Sequence, residues 1–428
     1  MNEQRDTTFS ILKALAILLV VTAHAAAPTY LSRFAYMVSV PAFFVCAGYF
    51  FNPQYLQQKG TFVMRRARRL YLPFVKWSLL FLVLHNLFFP LGLLSETYGN
   101  AAGGVTHPYD WTTAMQNLWS IVFNMSGYDV FLAGAFWFFR ALFLSSIAFL
   151  LLFKGATCIK WLKNPTLQVA AVGTLTLLLA IWQSFDGLRI TGVAQGGYRE
   201  LMGITFMSIG FLFRHNTDRP VSVAWRHPAL GLAWSSLILA LLVAFFPVAM
   251  TPSTGNPLAV VLLALAGPAA FVWLHAVAHY LSLLPRKVPE VIAYIGDNSI
   301  YIFGFHLLAF KLVSMIKVLA YGLPWEMVGN HPVVTFQRDD AFWIAYLLVG
   351  AGLPLLVVWS WRYFCTQFHF NWTRPADWGR LFLTISVGIW TGMKWLGRTS
   401  VRTSKKTAHG IAVTFKDIVT QSRTDDDN

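Results

Sequence analysis

The stretch Ser10-Ile-Leu-Lys13-Ala-Leu-Ala-Ile-Leu-Leu-Val-Val-Thr-Ala-His24 decides the fold class, because it lies in an apolar run, 9–27, long enough to cross a bilayer as a helix. Lipid offers no partner for free backbone N–H and C=O groups, so a run that crosses it is helical. Nine more such runs follow, at 34–51, 70–92, 130–153, 165–183, 198–214, 228–250, 257–281, 298–320 and 341–365. The sequence therefore predicts an all-α integral membrane protein with about ten transmembrane helices.

The overall composition agrees with this class. Of the 428 residues, 56% are hydrophobic and 12% are charged, whereas a typical soluble domain is about 25% charged. These values exclude a disordered chain, a collagen-like fibre and an ordinary soluble multidomain enzyme. The net charge of +15 does not indicate a nucleic-acid partner, because the basic residues are spread along loops without a recognisable binding module.

The basic residues outside the spans fall mainly in alternate loops. Thirteen Lys and Arg residues lie in loops 52–69, 154–164, 215–227 (with Arg214 at its edge) and 282–297. The intervening loops 28–33, 93–129, 184–197, 251–256 and 321–340 hold three. Loops rich in Lys and Arg stay in the cytoplasm, so this distribution predicts that both termini are cytoplasmic.

Two segments allow alternative interpretations. Residues 13–27 end in Ala23-His24-Ala25-Ala26-Ala27, which also fits a signal peptide with an Ala-x-Ala cleavage site, although everything downstream is again membrane. Residues 381–397 are apolar but contain Trp and Lys, so we expect them to lie in the cytoplasmic interface rather than to form an eleventh span. The predicted organisation is a ten-helix membrane domain, 1–366, an interfacial amphipathic segment, 367–400, and a flexible cytoplasmic tail, 401–428.

The first span contains two ionisable residues, Lys13 and His24, eleven positions apart. Eleven steps of 100° bring them to within about 20° of one another on the helix, and about 16 Å apart along its axis. Ionisable side chains inside a span cost about 2.5–3.5 kcal/mol on insertion scales, which makes each a candidate functional residue. The pattern fits a long, thin substrate with an anionic head at Lys13 and a reactive end at His24. It equally fits a snorkelling lysine and a histidine that is hydrogen-bonded between helices.

A second cluster is the run Arg65-Arg66-Ala67-Arg68-Arg69, at the cytoplasmic start of the third span. Guanidinium groups match phosphate oxygens in a bidentate manner, so the run is a candidate phosphate site. Such a run also sets topology and contacts lipid headgroups, which is the simpler interpretation.

Other ionisable residues within the spans have less specific patterns. Arg140 and Glu200 have opposite charges and could simply pair. His275 and His279 share a helix face, but no carboxylate accompanies them, and we predict no metal site. His306 is a further candidate in the ninth span.

Five segments together resemble one family. The stretch from Lys13 to His24 is similar to the first span of the membrane acyltransferase-3 family, in which Arg or Lys is followed by ten residues and then His. The other four segments occur in the family's order: Val40-Pro41-Ala42-Phe43-Phe44-Val45-Cys46-Ala47-Gly48-Tyr49-Phe50; Arg65–Arg69 with Leu70-Tyr71-Leu72-Pro73; Trp137-Phe138-Phe139; and Tyr294-Ile-Gly-Asp-Asn298-Ser299-Ile-Tyr301-Ile-Phe-Gly-Phe-His306. Among relatives, the chain looks most like the smaller, single-domain sugar O-acetylases grouped with fucose 4-O-acetylase.

The resemblance implies an activity: transfer of an acyl group, usually acetyl, from coenzyme A to a hydroxyl of a polysaccharide or lipid-linked sugar. It implies that His24 is the catalytic residue, either as general base on the acceptor hydroxyl or as carrier of the acyl group. Acetyl-CoA is then a donor co-substrate, with no permanently bound cofactor. The expected partners are acyl-CoA, the glycan or lipid-linked sugar and the bilayer, and the expected location is a bacterial cytoplasmic (inner) membrane.

The resemblance also implies which other residues form the site. The donor's phosphates would be held by Lys13, Arg65, Arg66, Arg68 and Arg69. The substrate groove would contain Trp137, Arg140, Asn298, Ser299, Tyr301 and His306.

Two positions depart from the family pattern. Ala47 replaces the usual Ser before Gly48, which removes one hydroxyl, and Lys13 replaces the commoner Arg, which keeps the charge but loses the bidentate fork.

Two other classes of function remain open from the residues. A transporter or flippase for glycans or lipids would use the intramembrane His and Lys as relays, but the chain has no internal repeat to support it. A membrane assembly factor would predict that His24 is replaceable.

Overall fold

The computed structural model describes residues 7–100, 104–187, 189–215, 227–251, 255–337 and 340–367. The predicted interfacial segment, from residue 368 on, and the predicted tail lie outside the described residues. The chain divides into two compact units, 1–358 and 359–428. Of the second unit, residues 359–367 are described, and they are helical.

The regular elements of these ranges are all helical. In chain order they are α1 (Thr7–His24), α2 (Thr29–Tyr49), α3 (Lys59–Arg66), α4 (Leu72–Phe88), α5 (Trp111–Asn124), α6 (Val130–Ala133), α7 (Trp137–Ala156), α8 (Pro165–Asp186), α9 (Tyr198–His215), α10 (Pro228–Phe245), α11 (Pro257–Ser282), α12 (Lys287–Asp297), α13 (Ser299–Tyr321) and α14 (Phe342–Gln367). A π-helical turn, Ala67–Tyr71, joins α3 to α4 in one continuous rod.

Nine helical segments of the described chain are long and apolar enough to cross a membrane. The prediction of an all-α multi-pass membrane protein is confirmed. The predicted span that is not among these nine, 198–214, is α9, which has the length of a span but carries Arg199, Glu200 and Arg214. These charges keep its mean hydropathy low, and most of its side chains are buried among other helices.

Glycines set the closest helix contacts. A Cβ on Gly48 of α2 would overlap the backbone of Met207 in α9, and one on Gly210 of α9 would overlap the carbonyl of Val45 in α2. Small residues let backbones approach in this way where the hydrophobic effect offers little driving force between helices. A glycine also permits a close contact between α12 and α1, where Gly296 lies against the backbone of Ser10. This last contact brings α12 to the helix that carries Lys13 and His24.

Besides α3, which lies within 52–69 and continues into α4, two helices lie in segments that the apolar pattern assigns to loops. Within 93–129, α5 runs along α4: Tyr109 exchanges two hydrogen bonds with Asn86 (2.7 and 2.8 Å), and Tyr71 donates to the carbonyl of Val122 at 2.6 Å. At 14 residues, α5 is too short to register as a span. Within 282–297, α12 is an 11-residue helix that packs on α1.

Candidate active site

Two neighbouring cavities share Lys13 and Phe43 in their linings. The basic cavity has a volume of about 360 Å³ and is lined by Phe9, Lys13, Phe43, Cys46, Ala47, Phe50, Tyr55, Phe62, Arg65, Arg66, Arg69 and Leu142. The apolar cavity has a volume of about 240 Å³ and is lined by Lys13, Ile17, Val20, His24, Val40, Phe43, Leu70, Ala135, Trp137, Phe138, Phe139, Ser299, Ile300 and Phe303. The helical pitch that puts Lys13 and His24 on one face of α1 therefore places both beside the apolar cavity.

Three arginines line the basic cavity. Arg65 donates to the hydroxyl of Tyr55 at 2.7 Å, and the guanidinium of Arg66 lies 5.2 Å from the centre of the Phe62 ring. No carboxylate of the described residues lies within 4 Å of Arg65, Arg66 or Arg69. Apart from the Arg65 donor that is bonded to Tyr55, the guanidinium groups at this cavity are therefore not neutralised by a carboxylate of the described residues.

Arg68 points away from the other three arginines of the run. Arg68 and Arg69 both lie in the turn Ala67–Tyr71, yet Arg69 lines the basic cavity and Arg68, which is exposed, lines neither cavity. At about 100° per residue, Arg65, Arg66 and Arg69 fall within about 100° of one another around the helix, and Arg68 falls outside that arc. The structure thus distinguishes one arginine of the run from the other three.

Lys13 is held by an acidic residue that the sequence pattern does not single out. Its Nζ lies 3.3 Å from Oδ1 of Asp297, and the hydroxyl of Ser10 donates to the same oxygen at 2.8 Å. Asp297 is the last residue of α12, so the contact depends on the close approach at Gly296. The sequence offers one signal for Asp297: it stands beside Asn298 and Ser299 in the family-like segment from Tyr294 to His306.

His24 is the last residue of α1 and is half-buried. Its Nδ1 lies 2.8 Å from the carbonyl oxygen of Val20. A carbonyl oxygen only accepts, so Nδ1 carries a hydrogen, and in the neutral ring Nε2 then has a free lone pair. This tautomer is the one that can accept a proton or attack a carbonyl carbon at Nε2.

His306 of α13 lies next to His24, with ring centroids 5.2 Å apart. Its Nδ1 is close to the carbonyl oxygens of Ile302 and Phe303, at 3.0 and 3.1 Å. The ring is fully buried, and its Nε2 has no hydrogen-bond partner among the residues that the structure describes. On the other side of His24, the ring of the exposed Tyr36 lies 5.9 Å away in an edge-on arrangement.

The remaining predicted groove residues are not all at the cavity. Trp137 and Ser299 line the apolar cavity. Asn298 is buried and donates to the carbonyl of Tyr294 at 2.8 Å. The ring of Tyr301 lies 6.1 Å from that of Trp77, with the two planes tilted by 47°. Neither residue lines either cavity.

Arg140, the last predicted groove residue, lies close to Glu200 instead of lining a cavity. Its guanidinium is 3.6 Å from Oε1 of Glu200, both side chains being largely buried. The arrangement matches the simple ion pair that the opposite charges suggested. The neighbouring Arg199 places its guanidinium 3.7 Å from the centre of the Trp137 ring, where a cation–π contact forms.

His331, in the loop between α13 and α14, was also not selected from the sequence. Its Nδ1 donates to the carbonyl of Phe131 at 2.7 Å, and its ring lies against Gly134, next to the cavity-lining Ala135. Burial is the main reason that the pKa of His331 is lowered to about 4, and the nearby ammonium of Lys311 lowers it further. His331 is therefore neutral at pH 7.

These features define a helical membrane protein in which an arginine-lined cavity and a narrower apolar cavity meet at Lys13, with a histidine on the apolar side. Residues 7–359 match the family model for the acyltransferase domain of the acyltransferase-3 family. The chain belongs to this family, as its sequence motifs predict.

Peptidoglycan O-acetyltransferase OatA of Listeria monocytogenes is 27% identical to the chain over 248 residues. The match covers 53% of this chain and 37% of that protein, so the chain spans little more than a third of its length. No solved structure matches the chain.

Proposed function

We propose that the protein transfers an acyl group, usually acetyl, from acyl-CoA to a hydroxyl of a glycan or lipid-linked sugar, with His24 as the catalytic residue. The observation that carries the proposal is the pair of cavities that meet at Lys13, with three arginines on one side and His24 on the other. Membership of the family and the likeness to a peptidoglycan O-acetyltransferase support the same reaction class.

The dimensions suit a coenzyme A thioester. Guanidinium donors in the basic cavity would hold its phosphates, and the pantetheine arm would extend past Lys13 into the apolar cavity. The rise of α1 from Lys13 to His24 is about 16 Å, which is comparable with the length of an extended arm. The thioester would then lie beside Nε2 of His24.

In the direct route, His24 acts as general base. Nε2 takes the proton of the acceptor hydroxyl while its oxygen attacks the thioester carbonyl, and the C–S bond breaks as the tetrahedral intermediate collapses. The departing thiolate takes the proton from His24, which restores the neutral ring. A positioned base of this kind contributes roughly 10²–10⁴-fold to the rate.

In the alternative route, Nε2 attacks the thioester carbonyl and carries the acyl group, with loss of the thiolate. The acceptor oxygen then attacks the acyl-imidazole, and its proton is transferred to the thiolate, so that both routes yield the same ester and free coenzyme A. The lone pair on Nε2 serves either route.

The test uses the full chain purified into lipid nanodiscs with labelled acetyl-CoA and a glycan extract of the source cells. His24→Ala is expected to abolish label transfer while leaving thermal unfolding close to that of the wild type. His279→Ala, a histidine of α11 that lines neither cavity, serves as the matched control and should transfer normally.

The outcomes separate the alternatives. Full transfer by His24→Ala would rule out the catalytic assignment, and glycan movement without acylation would favour a transporter. Wild-type protein that holds label after rapid denaturation at neutral pH in the absence of acceptor, with no label held by His24→Ala, would identify the acyl-histidine route.

A further inference from the structure

The apolar cavity has an unusually uniform lining. Apart from Lys13, His24 and Ser299, its lining consists of hydrocarbon and aromatic side chains. Its volume of about 240 Å³ is below the roughly 300–1,000 Å³ of common small-molecule sites. A thioester arm that reaches His24 would fill most of this space.

Two of the lining rings are fixed by other rings. Phe303 lies between Phe138 and Phe139, at centroid distances of 5.6 and 4.9 Å. Phe138 in turn contacts Phe43 and Phe44 of α2, at 5.6 and 5.4 Å. Because each ring is held from several sides, neither can turn away without disturbing the helix packing.

The position of the thioester leaves space for a short acyl group. An arm that spans the rise from Lys13 to His24 ends beside the imidazole, so the acyl group must occupy what remains of the cavity. Phe303 lies one helical turn before His306, whose ring is 5.2 Å from that of His24, and Phe138 contacts Phe303 at 5.6 Å. Both rings line the cavity together with the smaller Ala135. A longer acyl chain would have to displace one of the rings.

We infer that Phe138 and Phe303 set the acyl-chain length of the donor, so that acetyl is accepted and acyl chains of four or more carbons are rejected. The inference rests on the proposed function. One methylene group in an apolar pocket changes specificity by about 10–200-fold. The wild type should therefore use acetyl-CoA at least about tenfold more efficiently than butyryl-CoA.

The experiment measures release of the free thiol of coenzyme A from acetyl-, propionyl- and butyryl-CoA, with the full chain in nanodiscs and the same glycan extract. Phe138→Ala should raise the ratio of butyryl to acetyl kcat/KM by about tenfold or more. Phe81→Ala is the matched control, because Phe81 is fully buried against Phe136 and Phe305 but lines neither cavity. It should leave the ratio unchanged.

Ala135→Val enlarges a side chain of the cavity lining, whereas Phe138→Ala shortens one. It therefore leaves no empty space among the aromatic rings. It should lower turnover of acetyl-CoA while binding of free coenzyme A, measured by titration, stays at the wild-type value. Retained binding of free coenzyme A also shows that this variant is folded. This variant decides the question if Phe138→Ala fails to fold.

Three results would contradict, in turn, the proposed function, the limit on acyl-chain length and the residues assigned to that limit. If the wild type consumes no acyl-CoA, the proposed function itself fails. If the wild type uses butyryl-CoA as well as acetyl-CoA, the activity stands and the length limit is wrong. If Phe138→Ala changes the ratio no more than Phe81→Ala, and Ala135→Val turns over acetyl-CoA normally, then these residues do not set the chain length.

Discussion

The arginine run offers the sharpest test of the basic cavity, because the structure divides it. Arg66 lines the cavity and is half-buried, whereas Arg68, two residues later, is exposed and lines neither cavity. Both residues contribute equally to the positive charge that directs membrane topology. We predict that Arg66→Gln raises the KM for acetyl-CoA strongly, and that Arg68→Gln does not.

The expected size of the effect follows from the contacts that each residue can make. A hydrogen bond to a charged group is worth about 1.5–3 kcal/mol, which corresponds to about a 10- to 150-fold rise in KM for Arg66→Gln. Arg68 can act only through its distant charge. At about 8 Å in water that interaction is about 0.5 kcal/mol, or roughly twofold, before salt screening.

The assay is steady-state transfer from labelled acetyl-CoA by both variants in nanodiscs, at low and high salt. A substitution that removes a contact of equal strength in the bound substrate and in the transition state raises KM and leaves kcat unchanged. Equal increases of KM in the two variants would refute the reasoning, because the run would then act through general charge. A loss of kcat alone in Arg66→Gln would refute it as well.

Two further predictions concern packing and pH. Gly296→Val should destabilise the protein by about 1–3 kcal/mol, because its side chain would overlap the backbone of Ser10. Gly352→Ala in α14 is the control, because a Cβ at this position meets no described atom within 4 Å. It should leave the unfolding temperature unchanged or raise it. Similar losses in both variants, in a fluorescence-monitored melt, would contradict the close contact. The folded-state pKa of His331 is about 4, below the 6.5 of an unfolded histidine, so its protonation favours the unfolded chain. Its contribution is constant above pH 6.5, and stability falls as the pH is lowered from 6.5 to 4. His331→Gln should flatten that part of a plot of melting temperature against pH, and an unchanged slope would show that other groups cause it.

The helices could be read from the sequence to the extent that lipid dictates them. Long apolar runs such as 257–281 must form helices in a bilayer, and the structure has α11 there, at Pro257–Ser282. The alignment of Lys13 with His24 followed from helix geometry alone, since both residues lie on one helix. The 14-residue α5 escaped the same reasoning, because its apolar side chains do not form a run of spanning length.

The parts of the site that could not be predicted depend on contacts between distant segments. Asp297 reaches Lys13 across 284 positions of sequence, through a helix contact that a single glycine permits. Arg68 and Arg69 differ because neighbouring residues point about 100° apart on a helix, and the sequence does not show which of the two directions faces the cavity. His331 lies in a loop, where no helical period indicates which way a side chain points.

The junction of the two cavities at Lys13 also bears on the permeability of the membrane to ions. Connected cavities in a membrane protein are a potential leak for protons and small cations. Four cationic side chains line the basic cavity, and none of its lining residues is acidic; beyond them the lining is almost entirely apolar. Fixed positive charge repels cations, and an apolar constriction resists filling with water. In the proposed function, the arrangement that admits a polyanion from one side also opposes the passage of cations.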